Sequence, residues 1–488
     1  ATNVTIEHAF TCEPFSNLVQ HNVIVSDGVS FRFERDPQET AMDFFASEDR
    51  WCRPVMARTG PDGGLWIVDM YRYMIEHPQW LPQEGQDELR PFFRSGEDRG
   101  RIYRIVPTGT PSRMLPRLDQ MSTEELVVML ESSNAWHRDT AQRLLVTQQS
   151  SLAKAPLDKI VLTSPHPLAR MQALCTLDGL NALTPQSVLA GLKDSHAGVR
   201  RQAVRLANKV FVSSETWMEL VHDSDAKVRL QVACNLGGYS DPSAGKALAS
   251  LLIADTDPFI HAAAMSSLTS TNVGGVLQEV LLLSADVLGD PSASERLLKA
   301  LLSQVAALAD DQTVIRALNI AMTPKDGRLY PWQMSGLAAM LDRVAARGWD
   351  VSKHLTSEQQ ILFANAFSRS RLIAVDPNTD ENYRAASLSL LLRQPEMFSQ
   401  DKLLLLSLLV PQSPVVVQQA VVNQIATHSD ETLAAILLAG WSSHSPSIRT
   451  HILSVLASRE SWAAVLVDHL ERKSVLLTEI DAPMRQRL

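Results

Sequence analysis

Arg53, Asp62, Asp69, Arg72 and His77 fall in one short stretch, RPVMARTGPDGGLWIVDMYRYMIEHPQWLP. Two arginines suit a clamp on carboxylates, because each guanidinium presents its N–H donors in a fixed fork. A histidine close by in sequence suits a general base, since its proton affinity lies near neutral pH. Two aspartates suit a cation, but one Gly-rich turn with two acids falls short of a six-oxygen calcium site, so no metal is assigned. The same residues also have local duties. Asp62-Gly63 is a β-turn signal, Asp69 is placed to cap the segment at Tyr71, and His77-Pro78 ends a short helix.

The elements that must hold these side chains are strands. Gly63-Gly64 launches an apolar run, Leu65 to Val68, that ends on Asp69, and RGRIYRI alternates basic and apolar residues up to Ile105. Alternation also marks Thr5 to Cys12, Leu18 to Val25 and Val29 to Phe33, with Asp27-Gly28 as a hairpin turn. Asp43 to Trp51 reads as a loop or short helix, and Tyr71 to Glu76 as a helical turn. Residues 1–107 hold 14 of the 28 aromatic residues. Short aromatic strands between Gly/Asp turns fit one to two blades of a β-propeller. An open arc of blades leaves edges bare, so the expectation is that the natural gene extends upstream of Ala1.

Residues 108–118, with Pro111 and Pro116, read as a linker, and from Met121 the hydrophobic period becomes helical. Basic residues that open every second helix recur at Arg138, Arg170, Arg200, Arg229 and His261, at intervals of 32, 30, 29 and 32. Each follows a turn rich in Asp, Asn, Ser or Pro, such as Asp194-Ser195 or Asp223-Ser224-Asp225, which can cap the helix that follows. This is the HEAT pattern of antiparallel helix pairs. The fold class is therefore mainly α: a HEAT-type α-solenoid over 119–488, irregular at about 280–400, preceded by a small β region. The ladder Arg138, Arg170, Arg200, Arg229 is a candidate surface for a protein partner on the concave face, although such arginines also bond adjacent turns. His137, His166, His196, His222 and His261 sit near the repeat turns, but helix stacking holds them roughly 10 Å apart, too far to share a metal. Trp136, Trp217, Trp441 and Trp462 read as inter-helix packing.

Composition removes several classes. A net charge of -9 with no Lys/Arg block excludes a nucleic-acid surface. No apolar run reaches the ~18 residues of a membrane span. The chain opens Ala-Thr-Asn, so either a leader has been removed or the chain is a fragment. Cys12, Cys52, Cys175 and Cys234 form no CxxC or CxxCH. Cys175 and Cys234 read as core residues, and a Cys12–Cys52 disulfide is left open. No GxGxxG, Walker loop, HExxH or GxSxG occurs.

The segments CEPFSNLVQHNVI, DRWCRPVMARTGPDGGLWIVDMYR, EHPQW, DRGRIYRI and NAWHRDTAQRLL, in that order, resemble the membrane-bound dehydrogenase-like, haem-binding CxxCH family of planctomycete-type bacteria. The C-terminal SPSIRTHILSVLASRESWAAVLVDHLERKSVLLTEIDAPMRQRL resembles that family's segment before its haem domain. The resemblance covers nearly the whole chain. It implies that residues 1–107 are the C-terminal part of a sorbosone/glucose dehydrogenase-like propeller, with upstream blades and a cytochrome c module missing. It implies an exported, periplasmic or otherwise extracytoplasmic parent with haem c, a quinone cofactor and a carbohydrate substrate. Arg53, Asp69 and Arg72 would then face the quinone, with His77, Arg53 and Arg72 as the catalytic candidates, and the HEAT array would be the scaffold between modules. The alternative is a non-enzymatic protein- or glycan-binding scaffold. On either reading this chain by itself is expected to be inactive.

Overall fold

The structure, a computed structural model, describes residues 7–75, 77–109, 114–210, 212–239, 242–287 and 291–487. Glu76, in the expected helical turn, and Pro111, in the expected linker, lie outside the described residues. The chain forms two compact units. The first comprises Ala1–Tyr239 with Asp255–Ser267, and the second Ser240–Ala254 with Leu268–Leu488.

The first unit opens with β1 (Glu7–Glu13), β2 (Leu18–Asp27), β3 (Ser30–Arg35) and β4 (Phe45–Ala46), an antiparallel sheet in which β2 is central and also pairs β4. The two-residue β4 stands where a loop or short helix was expected. A second antiparallel sheet runs β5 (Pro54–Thr59), β6 (Leu65–Asp69), β7 (Arg101–Ile105), with α1 (Gln83–Leu89) inserted before β7. The turns are those the sequence announces: Gly28 and Gly63 take positive φ of 57° and 83°, conformations that cost glycine little. Tyr71, at φ 51°, is likewise left-handed, so no helix starts there. Buried apolar residues are few in this region, namely Val19, Cys52, Ile67 and Met74 among those described.

Helix pairs follow: α2 (Thr123–Met129) and α3 (Ala135–Gln148), α4 (Lys154–Thr163) and α5 (Pro167–Gly179), α6 (Pro185–Leu192) and α7 (Ala197–Ala207), then α8 (Ser214–Met218) and α9 (Ala226–Leu236). Next, α10 (Pro242–Ala254) belongs to the second unit and α11 (Pro258–Ser266) to the first. Successive second helices α3, α5, α7, α9 and α11 pack side by side. Ala and Val along them, such as Ala169, Ala173, Val199, Ala203 and Val228, are at most 1 % exposed, and their small size lets the helices approach closely. Gly191 of α6 and Gly179 of α5 permit close approach: a Cβ at Gly191 would come within 2.9 Å of Ala203 and Leu174, and one at Gly179 within 2.7 Å of Val146. Side chains of Asn134, His196, Asp225 and Asp257 cap α3, α7, α9 and α11.

The repeat arginines lie near the starts of α3, α5, α7 and α9 and bond along the stack. Arg200 Nη1 donates to Asp194 O at 2.9 Å in its own turn, while Nε and Nη2 reach the two oxygens of Asp223 in the next turn at 2.7 and 2.8 Å. Arg170 does the same with Ser164 O and both oxygens of Asp194, while Arg229 bonds Asp223 O and reaches Asp255 Oδ2 through Nε, at 2.6 Å. Each of these aspartates also accepts the backbone N–H two residues on, at 2.8 to 3.0 Å. They therefore fasten repeats together, whereas the helix caps are the residues two positions later. These bonds raise the proton affinity of Arg170 and Arg200, and Asp194 and Asp223, though burial opposes it, are held below the ordinary carboxylate range by them. Arg138 bonds only its own turn, at Ser132 O (2.8 Å) and Ser133 O (3.1 Å), because Ser164 stands where the next aspartate would be.

In the second unit α12 (Val273–Val287), α13 (Pro291–Leu308), α14 (Asp311–Met322), α15 (Pro331–Ala346), α16 (Ser357–Val375), α17 (Glu381–Leu388), α18 (Phe398–Leu408), α19 (Val415–Ala426), α20 (Thr432–Leu438), α21 (Pro446–Leu456) and α22 (Glu460–Glu471) continue the two-layer pattern, and α23 (Ala482–Arg487) ends it. One layer is α13, α15, α17, α19 and α21, and the other includes α14, α16, α18, α20 and α22. Its core includes Leu388, Leu405, Val421, Ile425, Leu437, Ile452 and Trp462. The stretch expected to be irregular is helical too, but α13 and α16 are 18 and 19 residues long, which stretches the interval between repeats.

Asp223→Ala should leave the Arg200 guanidinium half-buried without its counter-charge and lower unfolding stability by about 3 kcal/mol. The double variant Arg200→Met, Asp223→Asn, which removes both charges and keeps the turn bond, should lose clearly less. Urea denaturation followed by circular dichroism measures both. Equal losses would mean that the pairing is not what holds the turns.

Candidate functional site

The signature side chains of the second sheet come together, but in structural bonds. Arg53 directs Nη1 to Pro14 O and Phe15 O, Nε to Arg72 O and Nη2 to Tyr73 O, at 2.9 to 3.3 Å. Its backbone N–H is held by Asp69 at 2.7 Å. Asp69 also accepts from Tyr71 N (2.8 Å) and from Arg101 of β7 (2.8 Å), and it is 1 % exposed. Burial alone would raise its proton affinity, but these donors hold it below the usual aspartate range. Arg101 lies over the Tyr71 ring, 4.3 Å from its centre. Arg72 bonds the carbonyls of Met70 and Tyr71, each at 3.1 Å.

Asp62 works in the same way at the other end of the sheet. Its Oδ1 accepts from Gly64 N and from the Trp66 indole, each at 3.1 Å, and its Oδ2 pairs with Arg104 of β7. Against the effect of burial, those donors pull the carboxyl from 3.8 down to about 2. Asp62 and Asp69 thus have their oxygens occupied by N–H donors, and neither is free for a cation. His77 stands apart: it is exposed, packs on Phe93, and accepts from Gln79 N at 3.3 Å at the start of a 3-10 turn, Pro78–Trp80. It begins a helical turn where the sequence suggested that it ends one, and it makes no hydrogen bond to Arg53, Asp69 or Arg72.

The quinone implied by the family resemblance does not fit Arg53. Quinone carboxylates would need an open guanidinium at Arg53, whose donors are taken up by backbone carbonyls. Haem c belongs, by the resemblance, to a separate module, and within these residues Cys12, Cys52, Cys175 and Cys234 are all unpaired. Cys234 is exposed rather than core, and Cys175 is half-buried. Among the described residues no group of three His, Cys, Asp or Glu is placed to hold a metal ion, and no helix is long and apolar enough to cross a membrane. The ladder arginines Arg170, Arg200 and Arg229 are 13 to 22 % exposed at their side chains, so their donors are turned into the array.

Two open features have no such internal use. A cleft of about 940 Å³ lies between β5–β6 and α3, with Trp66 and Arg58 on one wall and Trp136, Asp139 and Arg143 on the other. Trp136, expected in the core, is 36 % exposed there, whereas Trp217 and Trp462 are fully buried. The spacing Trp136, Asp139, Thr140, Arg143 places all four on one face of α3, a signal that was legible in the sequence. In the second unit a groove of about 440 Å³ crosses α13, α15, α17 and α19, with alanines 338, 385 and 420 in its lining and Glu295, Lys299 and Asn423 among its polar residues.

Residues 2–109 match the model of a family described as a domain of unknown function, DUF7133. No curated protein matches the chain. Similar solved structures include Kap121p bound to Nup53p (TM-score 0.45, 11 % identity, 75 % of this chain and 48 % of that one) and Kap121p bound to Pho4p (0.43, 11 %, 73 % and 48 %). They also include a C-terminal fragment of the Chaetomium thermophilum cohesin loader SCC2 (0.27, 14 %, 74 % and 27 %). The chain spans about half the length of the Kap121p chains it matches.

The Asp62 carboxylate should stabilise the fold fully above its unfolded value of 3.8 and lose that contribution as pH falls towards its folded value of about 2. Asp62→Asn should therefore lower the melting temperature most at neutral pH, and the gap to the unaltered protein should close between pH 4 and pH 2. Thermal melts at stepped pH check this. A gap that does not change with pH would remove the ion pair as the cause.

Proposed function

We propose that this chain is a protein-binding scaffold and not a self-sufficient enzyme. One observation carries the reading: the Arg53 guanidinium is engaged by backbone carbonyls, Asp62 and Asp69 by N–H donors that include Arg104 and Arg101, and Arg72 by carbonyls at Nη1. A catalytic group must be free to meet a substrate atom, and these residues instead hold a sheet together. What remains open is surface of the kind that partners use, namely the aromatic cleft beside α3 and the groove across the second unit.

A second reading is favoured by the order of the sequence motifs. In it the chain belongs to an exported, haem-linked carbohydrate dehydrogenase-like protein, and the helical array keeps catalytic and electron-carrying modules at a fixed separation. Both readings assign this chain a mechanical role.

The test is a dye-linked dehydrogenase assay on a panel of sugars with added quinone cofactor and calcium, together with a haem absorption spectrum. The expected result is no turnover and no haem band. Turnover that His77→Ala abolishes would overturn the scaffold reading, because His77 is exposed and its loss should not unfold the chain.

A further inference from the structure

We propose that the cleft between the second sheet and α3 binds an extended acidic peptide segment with aromatic or apolar side chains, presented by a partner protein. This rests on the scaffold reading and names the chemistry of the partner.

The walls of the cleft are fixed before anything binds. Asn134 Nδ2 donates to Gly60 O and Pro61 O, each at 3.1 Å, and His137 Nε2 donates to Pro61 O at 2.7 Å. The turn of the β5–β6 hairpin is thereby tied to the start of α3. Trp66 is oriented by its indole bond to Asp62, itself held by Arg104 and Gly64. Arg58 lies directly across the hairpin from Trp66, as their strand register requires. A site built in advance loses less entropy on binding.

Its chemistry is that of an interface centre. Trp66 and Trp136 supply aromatic surface, and Arg58 and Arg143, one on each wall, are exposed, their guanidinium groups without a hydrogen-bond or ion-pair partner among the described residues. Tryptophan and arginine are the residue types that concentrate binding energy where proteins meet. The one carboxylate in the lining, Asp139, already accepts from Gln172 Nε2 at 2.9 Å. The cleft is therefore positive in a chain of net charge -9, and charge complementarity selects carboxylate-bearing ligands. Two features favour a peptide over a saccharide. The volume of about 940 Å³ accepts several side chains, and β5, which lines the cleft from Ala57 to Thr59, pairs only with β6. Its other edge carries no strand pairing among the described residues, and β1 packs beside it so that His8 and Phe10 also line the cleft; an extended segment can use the main-chain groups of such an edge.

The test uses the full chain and a fluorescently labelled peptide of alternating glutamate and tyrosine, with the matching lysine–tyrosine peptide as comparison, followed by anisotropy at low and moderate salt. The acidic peptide should bind and the basic one should not. Joint reversal at Arg58→Glu and Arg143→Glu should weaken binding by about tenfold or more, as should Trp136→Ala. Arg201→Glu, an exposed charge on α7 outside the cleft, should change it less than about twofold. Circular dichroism confirms folding, and Trp136→Ala alone decides the matter if the double reversal unfolds. Equal weakening by Arg201→Glu, or no binding of the acidic peptide, would overturn the proposal. So would tighter binding of an oligogalacturonate through the same residues, which would make the cleft a glycan site. None of these results touches the dehydrogenase assay, so the scaffold reading stands or falls separately.

Discussion

A guanidinium that bonds its own turn through one nitrogen and the next repeat's carboxylate through the other two joins successive repeats of the first unit. Each step brings one positive and one negative charge out of water together, so the desolvation of each is met by its partner, bidentate at Asp194 and Asp223 and single at Asp255, and by backbone groups. The stack of second helices follows from it: the arginine fixes where each helix starts, and the aspartate fixes the turn that leads into the next. The ladder is bounded at both ends. Among the described residues, Arg138 keeps a buried Nε without a partner, and at the far end His261 takes the arginine position and its ring bonds Asp255 O alone, at 2.7 Å. The second unit repeats the device in altered form. Arg371 meets the fully buried Asp401 at 2.7 Å, and the same carboxylate holds Leu392 N at the left-handed turn after α17.

The array was legible because its signal is local and repeated. An arginine near each helix start and an Asp–Ser turn before it recur at nearly constant spacing, and the structure places Arg170, Arg200 and Arg229 at equivalent points. The turns were read as caps, and Asn134, Asp225 and Asp257 within them do cap their helices. The use of Asp194, Asp223 and Asp255, two positions before each cap, as fasteners depends on a guanidinium more than twenty residues away, which local pattern does not reveal. The stretch at 280–400 lost its period because longer helices spread the repeat signals.

In the β region the hairpin turns were legible and the chemistry was not. Arg53, Asp69 and Arg72 look like a site because polar residues gather beside a strand end. Their partners Arg101 and Arg104 arrive from β7, beyond an inserted helix, and only the sheet register brings them opposite Asp69 and close to Asp62. Trp136 shows the converse. By type it resembles Trp217 and Trp462, but in the first helix pair its face looks onto the sheet cleft and not onto a preceding repeat.

The tip of the β2–β3 hairpin meets the array far along the chain. Val29 N donates to Asp257 Oδ2 at 3.2 Å, across 228 residues, while Asp257 Oδ1 caps α11. Gly28 leaves just enough room, since a Cβ there would come within 2.6 Å of that carboxylate. During synthesis the hairpin leaves the ribosome long before its docking point exists. At typical rates of about 5–20 residues per second, the delay is on the order of 10 to 45 s. Through that interval the aromatic strand β3, with Phe31 and Phe33 half exposed even when folded, lacks the contact its tip makes with α11. The growing chain would be most open to chaperones, and to mispairing with its neighbours, at that stage.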